Sequence, residues 1–158
     1  MGQKRARTEA EKADKRKRIL DSAWHLFTQS KGHLPRAVNI AQAAGVAKGT
    51  VYVYFRTKEE IFLELFPEKL REWAHDAQKA VEEAEPDDAA QIAHALTRFP
   101  LENPLLMQLG SILRGVLEEN APDEAIIAMK MRAAEVTQDM GAQLSRRLLW
   151  LSPKDGTT

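Results

Sequence analysis

Apolar side chains return every three or four residues along most of this chain, and no stretch alternates polar with β-branched apolar residues. That period belongs to amphipathic helices, so the pattern predicts an all-α protein without strands. Ile19, Ala23, Leu26 and Phe27 form one face of a first helix reaching about residue 30, where Gly32 and then Pro35 stop it. Two short helices are predicted over residues 37–44 and 48–55, separated at Gly45. Thr57 and Glu60 have the spacing of a capping box, in which each side chain satisfies an unpaired backbone donor of the first turn. The helix they open carries Ile61, Phe62, Leu65, Leu70, Trp73, Ala77 and Val81 on its apolar face, and Pro67 predicts a kink or a restart within it.

Glu85-Pro86-Asp87-Asp88 reads as a helix boundary. Asp88 and Gln91 repeat the capping spacing, and the helix they open is expected to end before Pro100. Asn103-Pro104 has the form of an N-cap followed by a proline in the first turn. The next helix, to about residue 119, is the most apolar in the chain. Leu105, Leu109, Ile112 and Val116 form one stripe and Leu106, Leu113 and Leu117 another, which predicts a central place in a bundle. Asn120-Ala121-Pro122 then separates a last helix, where Ile126, Met129, Ala133, Val136, Met140, Leu144 and Leu148 keep one long stripe.

Composition changes the picture in two ways. The chain has 158 residues, is 44% hydrophobic and has no cysteine, so it can bury a core and has no disulfide or thiol chemistry. No run approaches a membrane span, and the charged N-terminus has no secretory hydrophobic stretch, so a soluble cytoplasmic protein without membrane contact is expected. The net charge of zero hides a strong asymmetry: residues 1–58 carry a balance of +9 and residues 59–158 a balance of −9. A basic half beside an acidic one suggests that the first meets a polyanion, unless the basic residues serve only solubility.

The stretch from Val38 to Phe55 gives that polyanion a structural partner. Two helices crossing steeply need a small residue where their backbones approach, and Ala41 supplies it. The turn between them needs tolerance of positive φ, which Gly45 provides. Val51 faces back from the second helix, and Ile40, Ala44, Val46 and Phe55 fill the wedge. The outward residues Lys48, Thr50, Tyr52 and Tyr54 can bond phosphates or base edges, and Lys58 can clamp the backbone from the next helix start. Gly49 allows close approach of a helix N-terminus whose N–H groups favour phosphate. Lys4, Arg5, Arg7, Lys12, Lys15, Arg16, Lys17 and Arg18 add an arm of cations, expected to be disordered at first and to touch phosphates non-specifically.

The segment Ile40-Ala41-x-x-Ala44-Gly45-Val46-x-Lys48-Gly49-Thr50-Val51-Tyr52-x-Tyr54-Phe55-x-x-Lys58-Glu59 resembles the DNA-binding domain of the TetR family of transcriptional regulators. With the preceding helix, the resemblance covers about residues 15–66. It implies a homodimeric repressor whose second domain binds a small effector and then releases DNA. It also implies that Lys48, Thr50, Tyr52, Tyr54 and Lys58 lie at the DNA surface. Family members often carry hydroxyl residues at the start of the second helix; this chain has Pro35-Arg36-Ala37, so Arg36 would supply a charged contact instead.

The expected organisation is therefore a basic arm (1–14), a three-helix helix-turn-helix domain (15–58), a helical effector and dimerisation bundle (59–151) and a polar tail (152–158). Residues 67–151 resemble the family's second domain only in architecture. The family usually continues with two further helices, so a C-terminus shortened by truncation is expected, with dimerisation through residues 126–151 or only weakly. Trp73, Phe99, Met107, Leu109, Leu113, Met129 and Met140 are candidates to line a pocket for a small apolar effector, although core is the commoner role of such residues. His25, His33, His75 and His94 are scattered, so neither a metal nor a cofactor is expected. Glu118, Glu119, Asp123 and Glu124 read as a solvated capping cluster. A DNA-binding remnant without effector response is the alternative function, and a helical scaffold or enzyme is a third.

Overall fold

The computed structural model describes residues 2–85 and 88–148, with side chains described for residues 9–85, 88–146 and 148. The side chains of Lys4, Arg5 and Arg7, the middle of the boundary at Pro86-Asp87, the stretch from Leu149 to Leu151 and the expected polar tail lie outside the described residues.

Seven α-helices follow in order among the described residues: α1 Gly2–Gln29, α2 Ala37–Ala43, α3 Lys48–Tyr54, α4 Lys58–Glu83, α5 Ala89–Glu102, α6 Pro104–Ile112 and α7 Asp123–Arg147. The backbone of residues 2–14, expected to be disordered, continues α1. After α1, the Gly32 N–H donates to the Phe27 carbonyl at 2.8 Å, and Lys31 and Gly32 take positive φ of 53° and 86°. This left-handed reversal ends the helix, and Pro35 holds the chain extended before α2. A Cβ at Gly32 would collide with the side-chain amide of Gln108 on α6, so the turn also serves as the seat of α6.

α4 is the spine. Its first two turns bury Ile61, Phe62, Leu63 and Leu65 in a large core shared with Ile19, Ala23 and Phe27 of α1 and with Leu109, Leu117 and Met129. Its last turns place Ala77 and Val81 in a second core with Ile92, Met140, Leu144 and Leu148. The first core crosses the boundary expected at residue 58, because the start of α4 packs on α1, which in turn carries α2.

Capping at the start of α4 differs in one detail from the sequence expectation. The Thr57 hydroxyl accepts from the Glu60 N–H at 3.2 Å, but the Glu60 carboxylate accepts from the Arg56 N–H, one residue earlier than a capping box requires. At the start of α5 the Asp88 carboxylate accepts from the Gln91 N–H at 3.0 Å, as its spacing predicts.

Both interior prolines stand within continuous helices. α4 runs through Pro67 without a restart, and α5 continues past Pro100 to Glu102. A proline removes one helical bond and crowds the preceding turn, at about 3 kcal/mol. The long packed face between α4 and α7 offsets that cost at Pro67. At Pro100 the missing bond is the one to the Leu96 carbonyl in the preceding turn, and α5 runs only two residues further. Asn103 donates its side-chain amide to the Phe99 carbonyl at 3.2 Å, so it closes α5 and makes no side-chain cap for α6. The apolar helix expected up to residue 119 ends at Ile112. A π-helical stretch follows at Leu113–Leu117, then a 3₁₀ turn at Glu118–Asn120. The wider turn rotates Val116 into solvent while Leu117 is fully buried, which breaks the first predicted stripe at its end.

Candidate nucleic-acid interface

α2 and α3 each have only seven residues, too few to be stable alone, so packing must hold them. Ile40, Ala41 and Ala44 from α2 meet Val51 and Phe55 from α3, and all five are at most 4% exposed. Gly45 stands at φ +64°, and its N–H donates to the Gln42 carbonyl at 3.1 Å while the Val46 N–H reaches back to Ala41 at 3.0 Å. The small residue, the left-handed turn and the returning aliphatic thus take the places read from the sequence.

Two cations of the expected arm hold partners within the protein's own fold. Arg18 donates to the carbonyl of Ala44 at the end of α2. Arg16 pairs with Glu64 of α4 and lies 4.6 Å from the centroid of the Phe55 ring. These two clamp the α2–α3 unit onto α1 and α4, whereas their charge alone had suggested phosphate contact. Lys12 pairs with Glu9 and Lys17 with Asp21 along the exposed helix, pairings that contribute little in water. The hydrogen bond from Lys17 to Asp21 raises the pKa of the ammonium. Burial, helped by the nearby charge of Glu64, pushes the Glu68 carboxyl up; it lies on α4, away from α3.

The free face of α3 carries most of the residues named for DNA contact. Lys48 and Gly49 are exposed, Thr50 is half-buried, and Tyr52 is 45% exposed with the Lys48 ammonium 6.0 Å from its ring centroid. Arg36, exposed at the start of α2, makes no capping bond with its side chain and is free to reach outward. Lys58 is half-buried at the first residue of α4, 3.6 Å from the Glu59 carboxylate. Glu59 is 8% exposed and sits in the first turn of α4, where the helix dipole favours an anion. Tyr54 differs from the others: it is half-buried and packs against the large core, so its ring belongs largely to the wedge. Val53 has no hydrogen-bonding side chain to single it out in the sequence, yet it is 80% exposed. The signal for it is its offset of two from Val51, which turns it to the far side of the helix.

The seven residues named for an effector pocket are not brought together. Leu109, Leu113 and Met129 belong to the large core, Met140 to the smaller one, and Met107 points to solvent. Trp73 and Phe99 do meet, with ring centroids 4.9 Å apart, and they line a cavity of about 320 Å³ with Trp24, Leu105 and Leu106. Lys69, Glu72, Asp76 and Glu102 stand around it, and the buried Trp73 indole N–H has no acceptor among the described residues. No group of three or more metal-ligating side chains occurs among the described residues, and no helix there is long and apolar enough to cross a membrane.

Comparison with known proteins agrees with this arrangement. Residues 19–65 match the family model for bacterial regulatory proteins of the tetR family, and residues 67–158 match that for the tetracyclin repressor-like C-terminal domain. The fatty acid metabolism regulator protein of Bacillus subtilis is 34% identical over 73 residues, 46% of this chain and 38% of that protein. The HTH-type transcriptional regulator AcrR of Shigella flexneri is 37% identical over 60 residues, 38% of this chain and 28% of AcrR. The chain therefore spans less than half the length of these curated relatives. Among solved structures, the fatty acid degradation regulator FadR from Bacillus halodurans superposes with a TM-score of 0.57 at 21% identity, over 87% of this chain and 76% of FadR, a likeness of fold. The TetR family regulator PfmR from Thermus thermophilus gives 0.53 at 25% identity, over 89% of this chain and 72% of PfmR. With both halves matched and the small-residue wedge in place, the chain belongs to the TetR family of bacterial transcription regulators.

Proposed function

We propose that this protein binds double-stranded DNA in a sequence-specific manner and represses transcription in the cytoplasm until a small apolar effector releases it. The observation that carries the reading is the free face of α3, with Lys48, Gly49 and Tyr52 exposed and Thr50 half-buried beside them on a helix locked from behind by Val51 and Phe55. The Lys48 ammonium and the N-terminus of α3 suit phosphate, and the hydroxyls of Thr50 and Tyr52 suit phosphates or base edges. Arg36 and Lys58, at the starts of the flanking helices, would hold the backbone on either side. In a homodimer two copies of α3 would enter major grooves about one helical turn apart, ~34 Å, or a multiple of it. The cavity between Trp73 and Phe99 supports an effector site, since it is concave, aromatic and adjoins α6, whose Gln108 is seated on the turn after α1.

The test uses the full chain and a duplex that it enriches from a random DNA pool. Tyr52→Ala and Lys48→Ala are each expected to weaken binding by about 1–3 kcal/mol, roughly 5- to 150-fold in affinity, with the helical circular-dichroism signal intact. Unchanged affinity in both variants removes α3 from the interface and sinks the reading. Phe99→Ala is expected to abolish release of the duplex by any small apolar molecule that releases the unaltered protein. Equal release from both proteins would take the effector site away from this cavity.

A further inference from the structure

The side chains of α3 have fixed bearings around its axis, at about 100° per residue. Taking Val51 as the inward direction, Tyr54 lies only about 60° away, which is why it packs into the core. Tyr52 and Thr50 lie about 100° to either side. Gly49 and Val53 fall within about 20° of straight outward. Burial follows these bearings: Val51 is 1% exposed and Val53 80%. A Cβ at Gly49 would meet nothing within 4 Å. A shallow groove leads from Val53 back to Pro122 and Glu124 but leaves four fifths of the side chain open.

The centre of the outward face is therefore bare backbone followed by one isopropyl group. Local physics does not call for a valine there. β-branching lowers helix propensity, and α3 is short with no side-chain cap to spare stability. A lone exposed valine is ordinary on a general surface. Here it stands at the point of the face that would reach the floor of a major groove first. Valine can neither donate nor accept a hydrogen bond, so it cannot read the polar pattern of a base pair. The apolar feature on a base edge in the major groove is the C5 methyl of thymine.

The geometry points to Val53 as a specificity-determining residue that packs on a thymine C5 methyl in each half-site, an inference resting on the DNA-binding function proposed above. Gly49, one turn earlier and without a side chain, lets the helix come close enough for that contact.

The full chain, unaltered and as Val53→Ala, is titrated against the enriched duplex by fluorescence anisotropy, with each thymine in turn replaced by deoxyuridine, which lacks only the methyl. In the unaltered protein, deoxyuridine at one or two positions per half-site is expected to weaken binding about fourfold, the value of one buried apolar carbon. At those positions Val53→Ala is expected to bind thymine and deoxyuridine alike. The inference is overturned if no thymine is sensitive in the unaltered protein, or if Val53→Ala loses as much on deoxyuridine as the unaltered protein does. Failure to enrich any duplex overturns the DNA-binding function itself, and this contact with it.

Discussion

Gly45→Val is expected to lower the melting temperature by about 6–12 °C and to remove detectable operator binding. A non-glycine residue at φ +64° is strained by roughly 1–3 kcal/mol, most for a β-branched side chain. The new Cβ would stand 3.0 Å from the Arg18 Nη2 atom, which donates to the neighbouring Ala44 carbonyl. Strain and displacement of that clamp together come to about 3 kcal/mol, and each kilocalorie lowers the midpoint by roughly 2–4 °C in a chain of this size. The change falls between α2 and α3, so it alters the crossing angle that presents α3. Gly45→Asn is the control, because asparagine visits the left-handed region far more readily. It is expected to melt within about 3 °C of the unaltered protein. A valine variant that melts with the unaltered protein would mean that the turn does not depend on glycine.

The helix-turn-helix was legible because its constraints are local. Ala41, Gly45 and Val51 sit at offsets set by backbone geometry, and the capping spacings at Thr57 and Asp88 act within a single turn. What escaped the sequence depends on neighbours distant along the chain. Pro67 looks like an interruption because the packing of α7 along α4, which outweighs it, leaves no local trace. The π-helical stretch at Leu113–Leu117 follows no fixed period, so the α-helical repeat reads straight through it. Arg16 and Arg18 look like phosphate ligands when charge is read without partners; Glu64 and the Ala44 carbonyl claim them. The pocket candidates are apolar and bulky, which describes core equally well; Trp73 and Phe99 share a cavity, while Leu109, Met129 and Met140 are buried in the two cores. On α3, hydrogen-bonding residue type points to Tyr54, which leans inward, whereas bearing around the axis points to Val53, which does not.

Phe27→Ala is expected to cost about 3–5 kcal/mol, the range for deleting a buried aromatic side chain from a packed core. Phe27 is fully buried at the seam between α1 and α4. Its ring stacks on Trp24 at 5.6 Å and 27°, and lies 5.6 Å from Phe62 at 49°. Domain stability is commonly about 5–15 kcal/mol, so this single truncation would remove roughly a fifth or more of it. Its carbonyl also accepts the Gly32 N–H, so movement of Phe27 reaches the turn on which Gln108 rests. Urea denaturation measures the loss directly, and a cycle with Phe62→Ala isolates the ring–ring contact, expected at about 0.5–1.5 kcal/mol beyond the area buried. Phe27→Leu keeps most of the volume and is expected to lose much less. If alanine costs under about 1 kcal/mol, the site collapses around the deletion. The seam between α1 and α4 would then be too soft to hold α3 at a fixed angle, and the rigid presentation on which base reading depends would need another support.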